Sequence, residues 1–258
     1  MHKFGMGKDA PVDNKVFQWT LGEHPVSISF LDPTTRFLLK PLPRTSLANS
    51  VDLAVTPEIL EQGRRILESG SSNAYIEYRC LISVSARYLL RYKACVFHAV
   101  AFSWRGKAWL LPAPSGTGKT TQYLNWQRLF PGEIEMISGD LPILEAREDG
   151  SVWVYPSSWN GKENMYGAPA APLGGLVLLE QGKEDRMLPL PPQEAVIPLL
   201  QQFMVLPETE EEILQLASLL ERMLLAAPCR RFVNLGGDPS TVLLRQTFSD
   251  FLEKEAGI

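Results

Sequence analysis

The stretch Ala113-Pro114-Ser115-Gly116-Thr117-Gly118-Lys119-Thr120-Thr121 places glycines, a lysine and hydroxyls at the spacing of a phosphate-binding loop. In the pattern G-x-x-x-x-G-K-[ST], backbone N–H groups wrap the phosphates, the lysine reaches the β- and γ-phosphates and the following hydroxyl holds Mg²⁺. The nucleotide-binding candidates are therefore Pro114, Ser115, Gly116, Thr117, Gly118, Lys119, Thr120 and Thr121, with Thr120 as a metal-facing hydroxyl. Ala113 stands in place of the first glycine, which makes the backbone there less permissive, because alanine adopts positive φ only at a cost.

Phosphoryl transfer also needs a held metal, a group that positions or deprotonates the acceptor, and cations that offset the charge of the transferring group. Asp140 closes the strand-like run Ile134 to Ser138, where a carboxylate can meet Mg²⁺ beside Thr120. His98 lies 119 − 98 = 21 residues before the loop lysine, within an apolar segment. A lone histidine in such a segment is commonly a hydrogen-bonded core residue. An antiparallel turn at Arg105-Gly106 would nevertheless return it to the sheet edge that presents the loop, within reach of an acceptor or a γ-phosphate.

The polar stretch Ser157 to Asn164 can project Lys162 toward phosphate charge, with Glu163 and Asn164 orienting acceptor or metal. A solvent-exposed lysine is the plain alternative. Arg186 sits in Glu180 to Asp185 and beyond, which reads as an exposed hairpin; Arg230 and Arg231 fit a strand start as well as they fit catalysis.

These residues need a framework of strands and helices. Three strand-like runs, Val16 to Leu21, Val26 to Leu31 and Arg36 to Lys40, are separated by turn chemistry and suggest a small β-rich module. A loop follows over 41–50, and Thr56 is placed to cap a helix from Pro57 to Leu67. Gly70 to Asn73 marks a boundary, giving units of 1–72 and 73–258. Beyond it come a helical stretch from Ile82 to Tyr92, a strand run from Val96 to Trp104, the strand Lys107 to Leu111 and a helix from Thr120 to Leu129, whose positive N-terminal end faces the loop.

Further strands are expected at Ile134 to Ser138, Val152 to Tyr155 and Gly174 to Leu179, in mixed order rather than strict alternation with helices. The last third is helical: Glu194 to Met204, Glu210 to Ala226 and Pro239 to Glu253, with a short strand at Arg231 to Asn234 before the last. The expected fold class is thus α/β with α+β character, built on a mixed central sheet with a small N-terminal β-rich module.

Composition bounds the function. With 258 residues, 45% hydrophobic and 21% charged, the chain can bury a full core without disulfides. Its net charge of −4 and the lack of a basic stripe interleaved with aromatics argue against a nucleic-acid partner. No apolar stretch reaches the length of a membrane span, and Met1 to Lys8 lacks the pattern of a secretory signal, so a soluble cytoplasmic protein is expected. Cys80, Cys95 and Cys229, odd in number and far apart, read as reduced thiols rather than as disulfides or zinc ligands.

The order His98, then Ser115-Gly116-Thr117-Gly118-Lys119-Thr120, then Ser138-Gly139-Asp140 resembles the catalytic domain of HPr kinase/phosphorylase and its small relatives, over roughly Tyr75 to Phe248. The resemblance implies a phosphate loop of the phosphoenolpyruvate carboxykinase type, ATP with Mg²⁺, and phosphorylation of a serine or other hydroxyl on a protein or peptide. It assigns His98 as the active-site histidine, Lys119 and Thr120 as nucleotide and metal contacts, and Asp140 as the second of a pair of aspartates. The first of that pair is Gly139 here, so either Asp140 serves both needs through waters, or Glu163 supplies a carboxylate, or the chain binds nucleotide without transferring phosphate.

Two functions follow as expectations. One is a kinase acting on a protein, peptide or small-metabolite hydroxyl; the other is a nucleotide-sensing protein that docks a partner. Carboxykinase chemistry on a small acid is a lesser third. HPr itself is not expected as acceptor, since the segment with which those enzymes engage it has no match. Self-association is expected by analogy with the family's larger members.

Overall fold

The computed structural model describes residues 16–39, 50–67, 70–159 and 165–255. The N-terminal strands β1 (Val16–Leu21) and β2 (His24–Ser29) form a hairpin, and β3 (Val51–Ala54) joins β2 in parallel to complete a three-stranded sheet. The run expected as a third strand, Arg36 to Lys40, is instead largely a 3-10 helix over Pro33–Leu38, because Asp32 caps it by accepting from the Thr34 amide; Lys40 lies outside the described residues. The loop expected over 41–50 also falls almost wholly outside them.

Helix α1 (Pro57–Ile66) begins as its sequence indicates, with the Thr56 hydroxyl accepting from Ile59 N and proline in the first turn. Helix α2 (Asn73–Leu90) is longer than the expected helical stretch. Ser72 caps it by accepting from Tyr75 N, so the polar run read as a boundary is the start of the helix. Buried Glu77 on α2 then accepts from the amides of Leu31 and Asp32 and from the Thr35 hydroxyl at 2.6, 2.9 and 2.6 Å. These bonds tie the end of the N-terminal hairpin to an 18-residue helix of the core.

The central sheet is mixed, curled and nine-stranded. Its main path runs β4 (Ala94–Val96), β8 (Ile143–Ala146), β9 (Val152–Tyr155), β10 (Ala171–Gln181), β6 (Lys107–Pro112), β5 (Ala99–Trp104) and β7 (Glu135–Ser138). Two parallel pairs, β6 with β10 and β10 with β12 (Cys229–Asn234), stand among antiparallel ones. Strand β11 (Arg186–Pro189) does not fold back on β10 as a hairpin. It pairs with β12, which lies between the two.

Both faces of the sheet are covered, and the strands show it by alternation. Leu110, Leu176 and Leu178 face one core shared with α2, α5 (Glu210–Ala226) and the N-terminal sheet. Their neighbours Trp109, Leu111, Val177 and Leu179 face a second core with α3 (Lys119–Leu129) and α6 (Asp238–Glu255). The second core is aromatic: Phe248 of α6 packs on Trp109 at 4.3 Å between ring centres, and Trp126 of α3 packs on Phe102 at 5.4 Å. That packing seats α3, and with it the loop before α3, against β5 and β6.

Helix α4 (Pro192–Leu200) ends earlier than its sequence pattern suggests. Residues 202–204 leave the helix and pair with 96–98, through the Phe97–Phe203 bridge and the Met204 N to Val96 O bond of 3.0 Å. No helix among the described residues is long and apolar enough to cross a membrane.

Candidate functional site

The loop of Ala113 to Gly118 leaves β6 and delivers the chain to α3. Gly116 and Gly118 have φ of 81° and 100°, and a Cβ at either would meet nothing within 4 Å. Glycine is required there by backbone handedness and not by lack of room. Ala113 is buried and is not among the residues with positive φ; of the non-glycine residues described, Lys93 and Arg105 are. The cost expected for alanine at this position is therefore absent, because this loop makes its left-handed turns at Gly116 and Gly118.

Gly118 caps α3 without any side-chain hydrogen bond among the described residues, which leaves the first-turn amides of the helix directed into the loop. Ser115 and Thr121 are exposed, Thr117 and Thr120 half-buried, and the Thr117 hydroxyl donates to Pro114 O at 2.7 Å. From β10, the Gln181 amide donates to Gly116 O at 3.0 Å and braces the loop from the neighbouring parallel strand.

Lys119 is buried, 8% exposed, and its ammonium spans the loop, donating to Ala113 O at 2.7 Å and Pro114 O at 3.1 Å. The same nitrogen lies 3.3 Å from His98 Nε2. Burial lowers the Lys119 pKa from its ordinary value, and the Asp140 carboxylate partly opposes that.

His98 sits where the chain passes from β4 to β5, a break in the single strand run expected over Val96 to Trp104. The break has a cause. β4 pairs with β8, whereas β5 pairs with β6 and β7, so the chain changes partners at Phe97 and His98. The β5–β6 register, Ala99 opposite Pro112, sets His98 level with the start of the loop.

Asp140 follows β7, and its carbonyl accepts from Ala99 N at 2.9 Å, which pins it next to His98. Its Oδ1 lies 3.4 Å from His98 Nε2. His98, Lys119 and Asp140, far apart in sequence, thus meet at one imidazole nitrogen. At position 139 the glycine is buried and its amide donates to Met165 O at 3.0 Å.

Lys162 and Glu163 fall in 160–164, outside the described residues. The described residues on either side both bond to neighbours of Asp140: Trp159 O accepts from Leu141 N at 3.1 Å, and Met165 O accepts from Gly139 N at 3.0 Å.

Two residues of the site carry no signal in the sequence. Gln202, 5% exposed, lies just past α4, and its Oε1 is 3.2 Å from His98 Nδ1. Tyr78 on α2 has its pKa pushed up to about 12, chiefly by burial and next by the Asp140 charge, which places the phenol within electrostatic reach of that carboxylate. Neither belongs to a recognisable spacing, since one comes from a helix end and the other from a helix face.

Arg230 and Arg231 lie on β12, where Arg230 stacks over Phe251 at 5.5 Å and Arg231 pairs with Glu180 at 3.3 Å. Arg186 pairs with Glu184 on the surface. The three thiols are free and buried, and burial holds that of Cys229 up to about 11. Among the described residues no group of three or more His, Cys, Asp or Glu side chains is arranged to hold a metal by itself. The chain matches no protein-family model and no curated protein sequence.

Proposed function

We propose that this chain is a Mg²⁺- and ATP-dependent phosphotransferase of the HPr kinase-like kind, moving the γ-phosphate to a hydroxyl of a protein, peptide or small metabolite. The observation that carries the reading is the convergence of Lys119 Nζ and Asp140 Oδ1 on His98 Nε2, at 3.3 and 3.4 Å, beside a loop with two left-handed glycines and an uncapped helix N-terminus.

Each part has a physical task. Backbone N–H groups of Gly116 to Thr120 and the Lys119 ammonium bind phosphate oxygens, with burial making the ammonium more effective than it would be in water. Mg²⁺ suits the residues present, because this ion keeps several waters and takes one or two carboxylates plus substrate phosphates rather than a full protein cage. Asp140 and the Thr120 hydroxyl would hold it, and when bound it neutralises charge on the phosphates. His98 Nε2 accepts the acceptor's proton as the new oxygen–phosphorus bond forms and the γ-phosphate leaves ADP.

Gly139 favours a second reading, a nucleotide-dependent docking protein, because no side chain at that position supplies a carboxylate beside Asp140. Turnover separates the two. With Mg²⁺-ATP and acceptors from extracts of the parent cell, the wild type should release ADP and label a hydroxyl. Asp140→Asn and His98→Asn should lose about 10²–10⁴-fold in kcat. If nucleotide binds and these variants alter only its metal-dependent affinity, the docking reading stands and the kinase reading falls.

A further inference from the structure

We infer that Gln202 is a positioning residue that fixes His98 in the tautomer with its proton on Nδ1 and its free lone pair on Nε2. The proton on Nδ1 follows from the contacts of Gln202; the free lone pair on Nε2 and its catalytic meaning rest on the kinase reading above, in which the Asp140 carboxylate is given to Mg²⁺.

Gln202 holds His98 twice. Its backbone carbonyl accepts from His98 N at 2.7 Å, the shortest link between 202–204 and 96–98, and its side-chain Oε1 faces His98 Nδ1 at 3.2 Å. The orientation of the amide is itself decided, because Gln202 Nε2 donates to Pro198 O at 3.2 Å. That carbonyl is available since α4 stops at Leu200, and Gln202 N turns to Leu199 O at 3.0 Å instead of continuing the helix. With the amide nitrogen engaged at Pro198, the atom facing the imidazole is an oxygen, which only accepts. Nδ1 must then be the donor.

The consequence appears on the other side of the ring. A neutral imidazole with its proton on Nδ1 presents a lone pair at Nε2, where Lys119 Nζ lies at 3.3 Å and can donate to it, while Asp140 Oδ1, 3.4 Å from the same nitrogen, is the carboxylate that would face Mg²⁺ in the reading above. Histidine free in water favours the opposite tautomer, with the proton on Nε2. In that form Nε2 would oppose the lysine N–H and could not take a proton from a hydroxyl. Gln202 thus turns the basic nitrogen toward the loop, although it is 5% exposed and has no direct access to a reacting atom.

In the transfer step the acceptor hydroxyl gives its proton to Nε2. Its oxygen pair forms the new bond to phosphorus, and the pair of the broken bond leaves on the β-phosphate oxygen. Atoms and charge balance without any further reagent.

The test uses the full chain labelled with ¹⁵N-histidine, with the neutral imidazole read by long-range ¹H–¹⁵N correlation. The chain has three histidines, and His98 is assigned by its loss in His98→Asn. Wild type should show His98 protonated on Nδ1. Gln202→Met, similar in length but without an acceptor oxygen, should shift it to the Nε2-protonated form, and Gln202→Glu, which keeps an oxygen there, should hold the wild-type tautomer.

In phosphate transfer, Gln202→Met should lower kcat by about 10²-fold or more, with KM for ATP little changed, and Gln202→Glu should recover much of the loss. A wild-type His98 protonated on Nε2 overturns the inference. So does a folded Gln202→Met with an unchanged tautomer. If Gln202→Met fails to fold, the wild-type spectrum still decides. If the tautomers behave as stated and no protein transfers phosphate, the kinase reading has failed and the positioning role has not.

Discussion

The loop can be tested by a pair of substitutions that cost the fold the same and differ only in place. Gly118 has φ of 100° and Gly106, in the β5–β6 turn, has φ of 75°; a Cβ at either position meets nothing within 4 Å. Alanine at either site therefore brings backbone strain without a clash, about 1–2 kcal/mol. For a chain of this size that is a fall in melting temperature of about 2–8 °C. Ligand at ~100 times Kd stabilises the wild type by about 2.7 kcal/mol, hence by roughly 5–10 °C.

Gly106→Ala should lose stability and keep the whole Mg²⁺-ATP shift, because its turn lies at the far ends of β5 and β6 from the loop. Gly118→Ala should lose similar stability and most of the shift, since the added strain re-aims the amides at the start of α3. Thermal unfolding with and without Mg²⁺-ATP reads both. If Gly118→Ala keeps the full shift, or if neither variant nor wild type shows one, the loop is not a phosphate cradle and the assignment of Lys119 falls with it.

Two further outcomes follow from the structure. Glu77→Ala should destabilise by about 1–3 kcal/mol in chemical unfolding, because it removes the acceptor of the part-buried Leu31 and Asp32 amides and leaves the buried Thr35 hydroxyl only Ala74 O; loss below ~0.5 kcal/mol would show that those amides reach water instead. Tyr78, Tyr88 and Tyr155 are raised from 10 to about 12, mainly by burial, so the folded chain holds their protons longer than the unfolded chain. Their contribution to stability is complete below pH 10 and is lost between pH 10 and about 12. Tyrosinate absorbance in the native state should therefore rise late, with Tyr78→Phe removing part of the late phase; a single native transition near pH 10 would contradict this.

Much of the framework is legible in the sequence. The Thr56-Pro57 start of α1, the apolar period of α5 and the Lys107 to Leu111 strand, turn and helix around the loop all express local chemistry, and they form where the sequence indicates. The departures have tertiary causes. The run Arg36 to Leu39 has strand composition but follows an Asp32 cap and Thr35 held by Glu77 from α2, while β3, β8 and β11 owe their form to the hydrogen bonds a neighbouring strand supplies.

The site divides along the same line. By itself the sequence determined the local half: a loop whose glycines take the left-handed turns, a lysine at the start of a helix, and a carboxylate at the end of a strand, each specified by residues close along the chain. Only the tertiary structure decided that His98, Lys119 and Asp140 share one nitrogen and that Gln202 sits behind the ring. Those meetings depend on a strand that changes partners at His98, on the β5–β6 register, and on a helix that stops at Leu200 to let three residues pair with β4 and the residues after it. Long-range hydrogen bonds and packing fix such events, and no spacing within a segment encodes them.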